Sequence, residues 1–235
     1  MDSYTRPIIK GEPFRTTLPD GTALVCEGGG TRGFYSSGVF EAFMDAGWMF
    51  PYIIGVSAGA ANALSYISGQ RLRSRDIVEH YVGDPRYLGY RNMLKGSFFG
   101  MDFIFEEVPQ KHVFFDWESF DETDVAFLTG VTDCRSGQAF WFPKGRIDRK
   151  FTLTRASCSV PFVTPPVKFE GYRFADGGVA SPIPIDKSIE DGNAFHVVVL
   201  TQNPGYRKKP ARFAPRLAGK DCLGLRRALE ERHLV

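Results

Sequence analysis

Residues 22–33, TALVCEGGGTRG, and residues 52–60, YIIGVSAGA, decide the reading of this chain. Each is a short apolar run that ends at glycine and leads into a helical pattern. Thr22 to Cys26 predicts a buried strand, bounded by Gly21 and by the run Gly28, Gly29, Gly30. From Gly33 to Gly47 the large residues Phe40, Phe43 and Met44 recur at helical offsets, and Gly47 stands where a helix would stop. Tyr52 to Val56 predicts a second strand, and Ala58 to Ser68 a helix of mostly small residues. Such alternation, with short connections and apolar strands, predicts a mostly parallel sheet covered by helices on both faces.

Further strands are predicted at Val125 to Thr132, Ala139 to Phe142 and Phe195 to Thr201, with a hairpin from Val167 to Phe174 turning at Glu170-Gly171. Helices are predicted over Asp76 to Val82, Arg149 to Ser157, Ile185 to Asp191 and Leu223 to His233. With 235 residues, 43% apolar and 24% charged, the chain is long enough for one sizeable core and is composed neither like a disordered nor like a fibrous protein. No run approaches the roughly 18 apolar residues of a membrane span, and the first 21 residues lack the apolar stretch of a signal peptide. A cytoplasmic protein is the expectation. Cys26, Cys134, Cys158 and Cys222 show no paired spacing, so they are read as buried free thiols rather than zinc ligands or a disulfide framework. Between Gly205 and Arg232 nine Lys and Arg face three Asp and Glu, a local balance of +6 in a chain whose total is +2. The organisation expected is an irregular leader over 1–21, a main domain over 22–204 and a basic C-terminal extension over 205–235.

Three motifs carry chemistry. Gly55-Val56-Ser57-Ala58-Gly59 is a G-x-S-x-G sequence placed where a strand meets a helix. Glycines two residues to either side allow a sharp turn that pushes a serine hydroxyl out at the carboxyl edge of the sheet, next to the positive end of a helix. Glu27-Gly28-Gly29-Gly30-Thr31-Arg32-Gly33 can converge backbone N–H groups on an anion, either a phosphate or the oxyanion of an acyl-transfer intermediate. A dinucleotide site would want an acidic residue about 20 positions on, at the end of the next strand. That strand ends instead in the serine turn, which favours the oxyanion reading. Asp176-Gly177-Gly178 follows the hairpin and can present a carboxylate in a cleft, or be a plain Asp-Gly turn.

Taken together the set resembles the patatin-like phospholipase family, particularly its bacterial members. The family has a G-G-G-x-[KR]-G loop, a G-x-S-x-G turn close behind it and a much later D-G-[GA]. Here these are Gly28 to Gly33 with Arg32 in the basic slot, Gly55 to Gly59, and Asp176 to Gly178. The segment Arg155-Ala156-Ser157-Cys158-Ser159-Val160-Pro161 and the continuation to Pro184 are similar as well. Plant-type members usually carry Asn where this chain has Pro182, and relatives tend to run on past the point where His233-Leu234-Val235 ends it.

The resemblance implies a three-layer α/β/α fold and a serine acyl hydrolase of phospholipase A type that needs no metal and no cofactor. It implies Ser57 as nucleophile, Asp176 as general base and Gly28, Gly29 and Gly30 as the oxyanion hole. Arg32, Gly33, Gly55, Gly59, Gly177 and Gly178 support them. An Asp of ordinary pKa near 3.9 is a weak base at neutrality, so its surroundings must compensate. The substrate expected is a phospholipid or related lipid. The rival readings are a Ser-His-Asp esterase of α/β-hydrolase type, for which His80, His112, His196 and His233 are the candidate bases, and a catalytically silent lipid-binding protein. The aromatic stretch Ser97 to Phe105 is either core or the lining of an acyl channel. The basic run through Arg207, Lys208, Lys209, Arg212 and Arg216 is either a solvated tail or a peripheral contact with anionic membrane. No nucleic-acid recognition fold accompanies it.

Overall fold

The computed structural model describes residues 5–7, 14–207, 224–225 and 227–228. In chain order its elements are β1 (Thr16–Thr17), β2 (Thr22–Cys26), α1 (Gly33–Ala46), β3 (Trp48–Met49), β4 (Tyr52–Val56), α2 (Ala58–Ile67) and α3 (Arg73–Tyr81). A π-helical segment, Phe103–His112, follows. Then come α4 (Trp117–Glu122), β5 (Ala126–Asp133), β6 (Ala139–Pro143), α5 (Thr152–Ser157), β7 (Val167–Phe169), β8 (Tyr172–Asp176), α6 (Ile185–Glu190) and β9 (Phe195–Val199).

The main sheet runs β7-β8-β5-β4-β2-β9, with β6 also paired to β5. Strands β9, β2, β4 and β5 are mutually parallel, while β6, β7 and β8 join antiparallel at one end. Helices cover both faces, giving the three-layer α/β/α arrangement with a mostly parallel sheet. Four of five residues in β2 and in β4 are buried, as strands covered on both faces must be. Leu24, Ile53, Phe127, Phe40 and Tyr66 share one core cluster. Complete burial of a side chain of this size is worth about 1.5–3 kcal/mol.

Local chemistry explains the element ends. Helix α1 buries Gly33, Ser36, Phe40 and Met44 and stops at Gly47, whose φ of 74° is left-handed and whose N–H bonds back to Met44 O. The hairpin turns at Glu170 and Gly171 with φ of 47° and 82°, the two positive values of a tight hairpin turn. Helix α5 starts three residues later than its pattern suggests, because the Asp148 carboxylate accepts the N–H groups of Lys150 and Thr152 and holds a turn there. Helix α3 starts three residues earlier, at Arg73, which is buried. Strand β9 stops at Val199 instead of running to Thr201, whose N–H is taken by the Glu27 carboxylate. Within the stretch expected to be irregular, β1 pairs with β3. Among the described residues no helix is long and apolar enough to cross a membrane. Cys26 and Cys134 are buried and Cys158 is partly exposed, none of the three in a disulfide. Cys222, most of the basic extension and most of the predicted helix Leu223 to His233 lie outside the described residues.

Candidate active site

Strands β2 and β4 are parallel neighbours in register Cys26 to Gly55, so the loops that leave them emerge side by side at one sheet edge. A Cβ on Gly28 would lie 3.1 Å from the Ser57 Cβ, which measures how closely the glycine loop and the serine turn approach. On the other side β4 ends at Val56, opposite Gly130 of β5. The next β5 residue, Val131, pairs instead with Asp176 at the end of antiparallel β8. Where β4 turns away, β8 takes its place, and the carboxylate arrives beside the serine. The Ser57 Oγ donates to Asp176 Oδ2 at 2.7 Å, and both residues are buried.

Ser57 holds φ 52° and ψ −132° immediately before α2. L-residues other than glycine rarely adopt this region, at a cost on the order of 1–3 kcal/mol. Two bonds keep it there. Its N–H donates to Ser157 Oγ at 2.7 Å, and its carbonyl accepts the Ala61 N–H at 3.0 Å as the first helical bond. The Ser157 hydroxyl in turn donates to Gly130 O at 2.6 Å, so α5 and β5 together brace the turn. Close approach explains Gly59: a Cβ there would fall 2.6 Å from Glu27 O and 2.7 Å from Cys26 O, where α2 lies directly on β2.

Asp176 is braced from four directions. Its N–H donates to Ser159 O and its carbonyl accepts Thr132 Oγ1, both at 2.8 Å, while Oδ1 accepts the Gly178 N–H at 2.8 Å. Oδ2 is the atom turned to Ser57. A Cβ on Gly177 would lie 2.2 Å from Gly130 O, so only glycine lets the turn pass β5.

Of the three glycines read as an oxyanion hole, Gly28 donates its N–H to Pro182 O at 3.2 Å and is engaged within the protein. Gly30, with φ 56°, lines the same cavity as Ser57. Thr201 Oγ1, which donates to Glu27 Oε2 at 3.0 Å, lies 3.1 Å from Gly28 O and ties the loop to the end of β9. Gly33 O accepts the Asn62 amide at 2.8 Å, joining the starts of α1 and α2. Gly55 sits in β4, where a Cβ would meet Ala60 N at 2.8 Å. Arg32 is exposed and faces the side-chain amide of Gln202, whose oxygen would accept from its guanidinium with the amide turned over.

The described histidines lie elsewhere. His112 meets Glu107 at 3.3 Å and packs on Tyr81 and Phe103, His196 is in β9, His80 is in α3, and none lines the Ser57 cavity. His233 is outside the described residues. Cys158 is adjacent, but burial and then the Asp176 carboxylate push its thiol well above the ordinary range, so it stays neutral.

From Ser57 a cavity of about 170 Å³ runs along α2, walled by Phe34, Phe99, Met101, Ile104 and Phe105 among others. The aromatic stretch therefore divides its service: Phe99, Met101 and Phe105 face the cavity, whereas Phe103 packs against Tyr81. Pro109 interrupts the helical bonding of this wall, which runs as a π-helix.

The sequence places Ser157 only within the similar segment 155–161 and Thr132 only at a strand end, and gives neither its bracing role, because their partners lie 100 and 44 residues away. Ser157→Ala is expected to leave the Ser57 N–H buried without a partner, at a cost of about 1–3 kcal/mol of stability. It should also lower kcat by about 10- to 100-fold with little change in KM, because the strained turn loses one of its two holds. Thermal unfolding and steady-state kinetics below the variant's Tm check both.

The model of the family described as "Patatin-like phospholipase" matches residues 24–189. The "Uncharacterized protein YjjU" of Escherichia coli K12 is 29% identical over 80% of this chain and 54% of its own. The "Uncharacterized NTE family protein Rv1063c" of Mycobacterium tuberculosis H37Rv is 26% identical over 82% of this chain and 51% of its own. "Lysophospholipase nte1" of Emericella nidulans is 27% identical over 66% of this chain and 10% of its own. The chain thus spans about half the length of the first two relatives. With a match that covers most of its length and includes the glycine loop, the serine turn and the aspartate, the chain belongs to the patatin-like phospholipase family.

Proposed function

We propose that the protein is a serine acyl hydrolase that cleaves ester bonds of phospholipids or related lipids through a Ser57/Asp176 dyad and an acyl-enzyme. The observation that carries this is the 2.7 Å bond from Ser57 Oγ to Asp176 Oδ2, made at a strained turn that opens on an apolar cavity. The Ser57 oxygen attacks the ester carbonyl while Asp176 Oδ2 takes its proton. Charge on the carbonyl oxygen is held by the N–H groups of Gly29 and Gly30 and by the N-terminus of α2, each such donor being worth about 2.7–4 kcal/mol of barrier. Gly28 shapes the loop, its own N–H being committed to Pro182. The intermediate collapses, the leaving alcohol collects the proton from Asp176, and the acyl group stays on Ser57. Water, deprotonated by the same carboxylate, then attacks the acyl-enzyme and releases the acid.

Membership of the family supports a lipid ester as substrate, and the cavity shape supports one acyl chain lying along α2. Contact of the basic segment with anionic lipid is part of the same proposal. A fluorophosphonate probe should label the chain at Ser57, as located by peptide mass spectrometry. A folded protein that stays unlabelled would favour the silent lipid-binding reading, and labelling at another residue would move the nucleophile away from Ser57.

A further inference from the structure

The far end of the Ser57 cavity is not apolar. Arg73, the first residue of α3, lines it together with Ser65 and Ser74, and all three are buried. The Arg73 guanidinium donates from Nη1 to Ser65 Oγ at 3.1 Å, from Nη2 to Val113 O at 3.1 Å and from Nε to Phe114 O at 3.4 Å, and it lies 5.1 Å from the centre of the Phe115 ring. These contacts use three of its five N–H donors. Among the described residues no carboxylate pairs with it, and the neighbouring charge that acts on it is another cation, Arg6. Burial pushes the group down to about 9, which still leaves it charged at neutrality. A buried cation without a counter-charge is costly, and a cavity that ends on one favours an anion over a methyl group.

Resting on the hydrolase reading, we propose that the acyl chain taken by this cavity carries a carboxylate at its far end, so that the preferred substrates are monoesters of medium-chain dicarboxylic acids. Ser57 would attack the ester end while Arg73, aided by the Ser65 and Ser74 hydroxyls, binds the free carboxylate. Length follows from α2. Ser65 lies eight residues beyond Ser57, which is about 12 Å along a helix. An extended alkyl chain advances about 1.25 Å per carbon–carbon bond, so a chain of roughly eight to ten carbons spans the distance. A methyl-ended chain of that length would bury its terminus against the guanidinium and leave the charge unpaired. That is discrimination by an unsatisfied polar group, stronger than any difference in apolar fit.

The test compares p-nitrophenyl butyrate, p-nitrophenyl nonanoate and the mono-p-nitrophenyl ester of nonanedioic acid on the full chain. The nonanedioate ester should exceed the nonanoate in kcat/KM by about tenfold or more, and Arg73→Met should reverse the order. Equal rates, preference for the nonanoate, or a ratio that Arg73→Met leaves unchanged would overturn the proposal. Hydrolysis of butyrate without a nonanedioate preference sinks only this inference, whereas no hydrolysis of any ester sinks the hydrolase reading. In that case, or if Arg73→Met fails to fold, thermal shift of the unsubstituted chain decides. Monomethyl nonanedioate should raise Tm more than methyl nonanoate at equal concentration, and an equal or smaller shift would overturn it.

Discussion

Ser57→Ala is expected to lower kcat for acyl-ester hydrolysis by about 10³-fold or more while the chain stays folded. The change removes the nucleophile but spares the architecture that strains it. The Ser57 N–H bond to Ser157 and the carbonyl bond to Ala61 are main-chain interactions that alanine retains. Asp176 loses one donor, yet keeps the Gly178 N–H on its other oxygen. The stability change should therefore stay within about 1–2 kcal/mol, the scale of one buried hydrogen bond. Purified variant and parent are compared by circular dichroism, thermal unfolding, ester turnover and fluorophosphonate labelling. A well-folded variant that still turns over at the parental rate would remove Ser57 from the chemistry.

The parts of the fold that could be read from residues are those governed by neighbours in sequence. Strands β2 and β4 keep their predicted bounds because an apolar run closed by glycine has few alternatives. The hairpin keeps its predicted start and its turn because Glu170-Gly171 specifies one, but its second strand runs two residues past Phe174 to Asp176, where it pairs with β5. The order of motifs likewise placed Ser57 and the glycine loop on one edge, since parallel neighbours put their exits together. What could not be read depends on long-range register. That β8 meets β5 one residue past the end of β4 brings Asp176 to Ser57, and nothing local in Asp176-Gly177-Gly178 specifies it. Arg73 illustrates the opposite failure: in the charged run Arg71-Leu72-Arg73-Ser74-Arg75 it looks like a solvated residue, yet it is buried. Leu72, at φ 60°, turns the chain just before it so that this one arginine points inward among the carbonyls of Val113 and Phe114. The serine brace from α5 is invisible for the same reason, its two ends being brought together only by packing.

Asp176→Asn is expected to reduce kcat by about 10²- to 10⁴-fold, the range that general-base catalysis contributes. Asparagine has the same shape, so its amide oxygen can keep the Gly178 N–H, and the main-chain bonds to Ser159 and Thr132 are unaffected. Folding should survive. At the position of Oδ2, however, an N–H₂ now faces Ser57 Oγ. It can donate but cannot take the serine proton, nor activate the water that clears the acyl-enzyme. Both half-reactions should therefore slow, seen as slower fluorophosphonate labelling and as a smaller steady-state rate. Single replacement of His80, His112, His196 and His233 provides the contrast, and each should leave activity within about an order of magnitude. His112 is occupied by Glu107 and the rings of Tyr81 and Phe103, and His196 lies in β9, so neither is placed to reach Ser57. If one histidine variant matched the loss in Ser57→Ala while Asp176→Asn kept most of its activity, the proton would be going to an imidazole and the dyad would have to be abandoned for a triad.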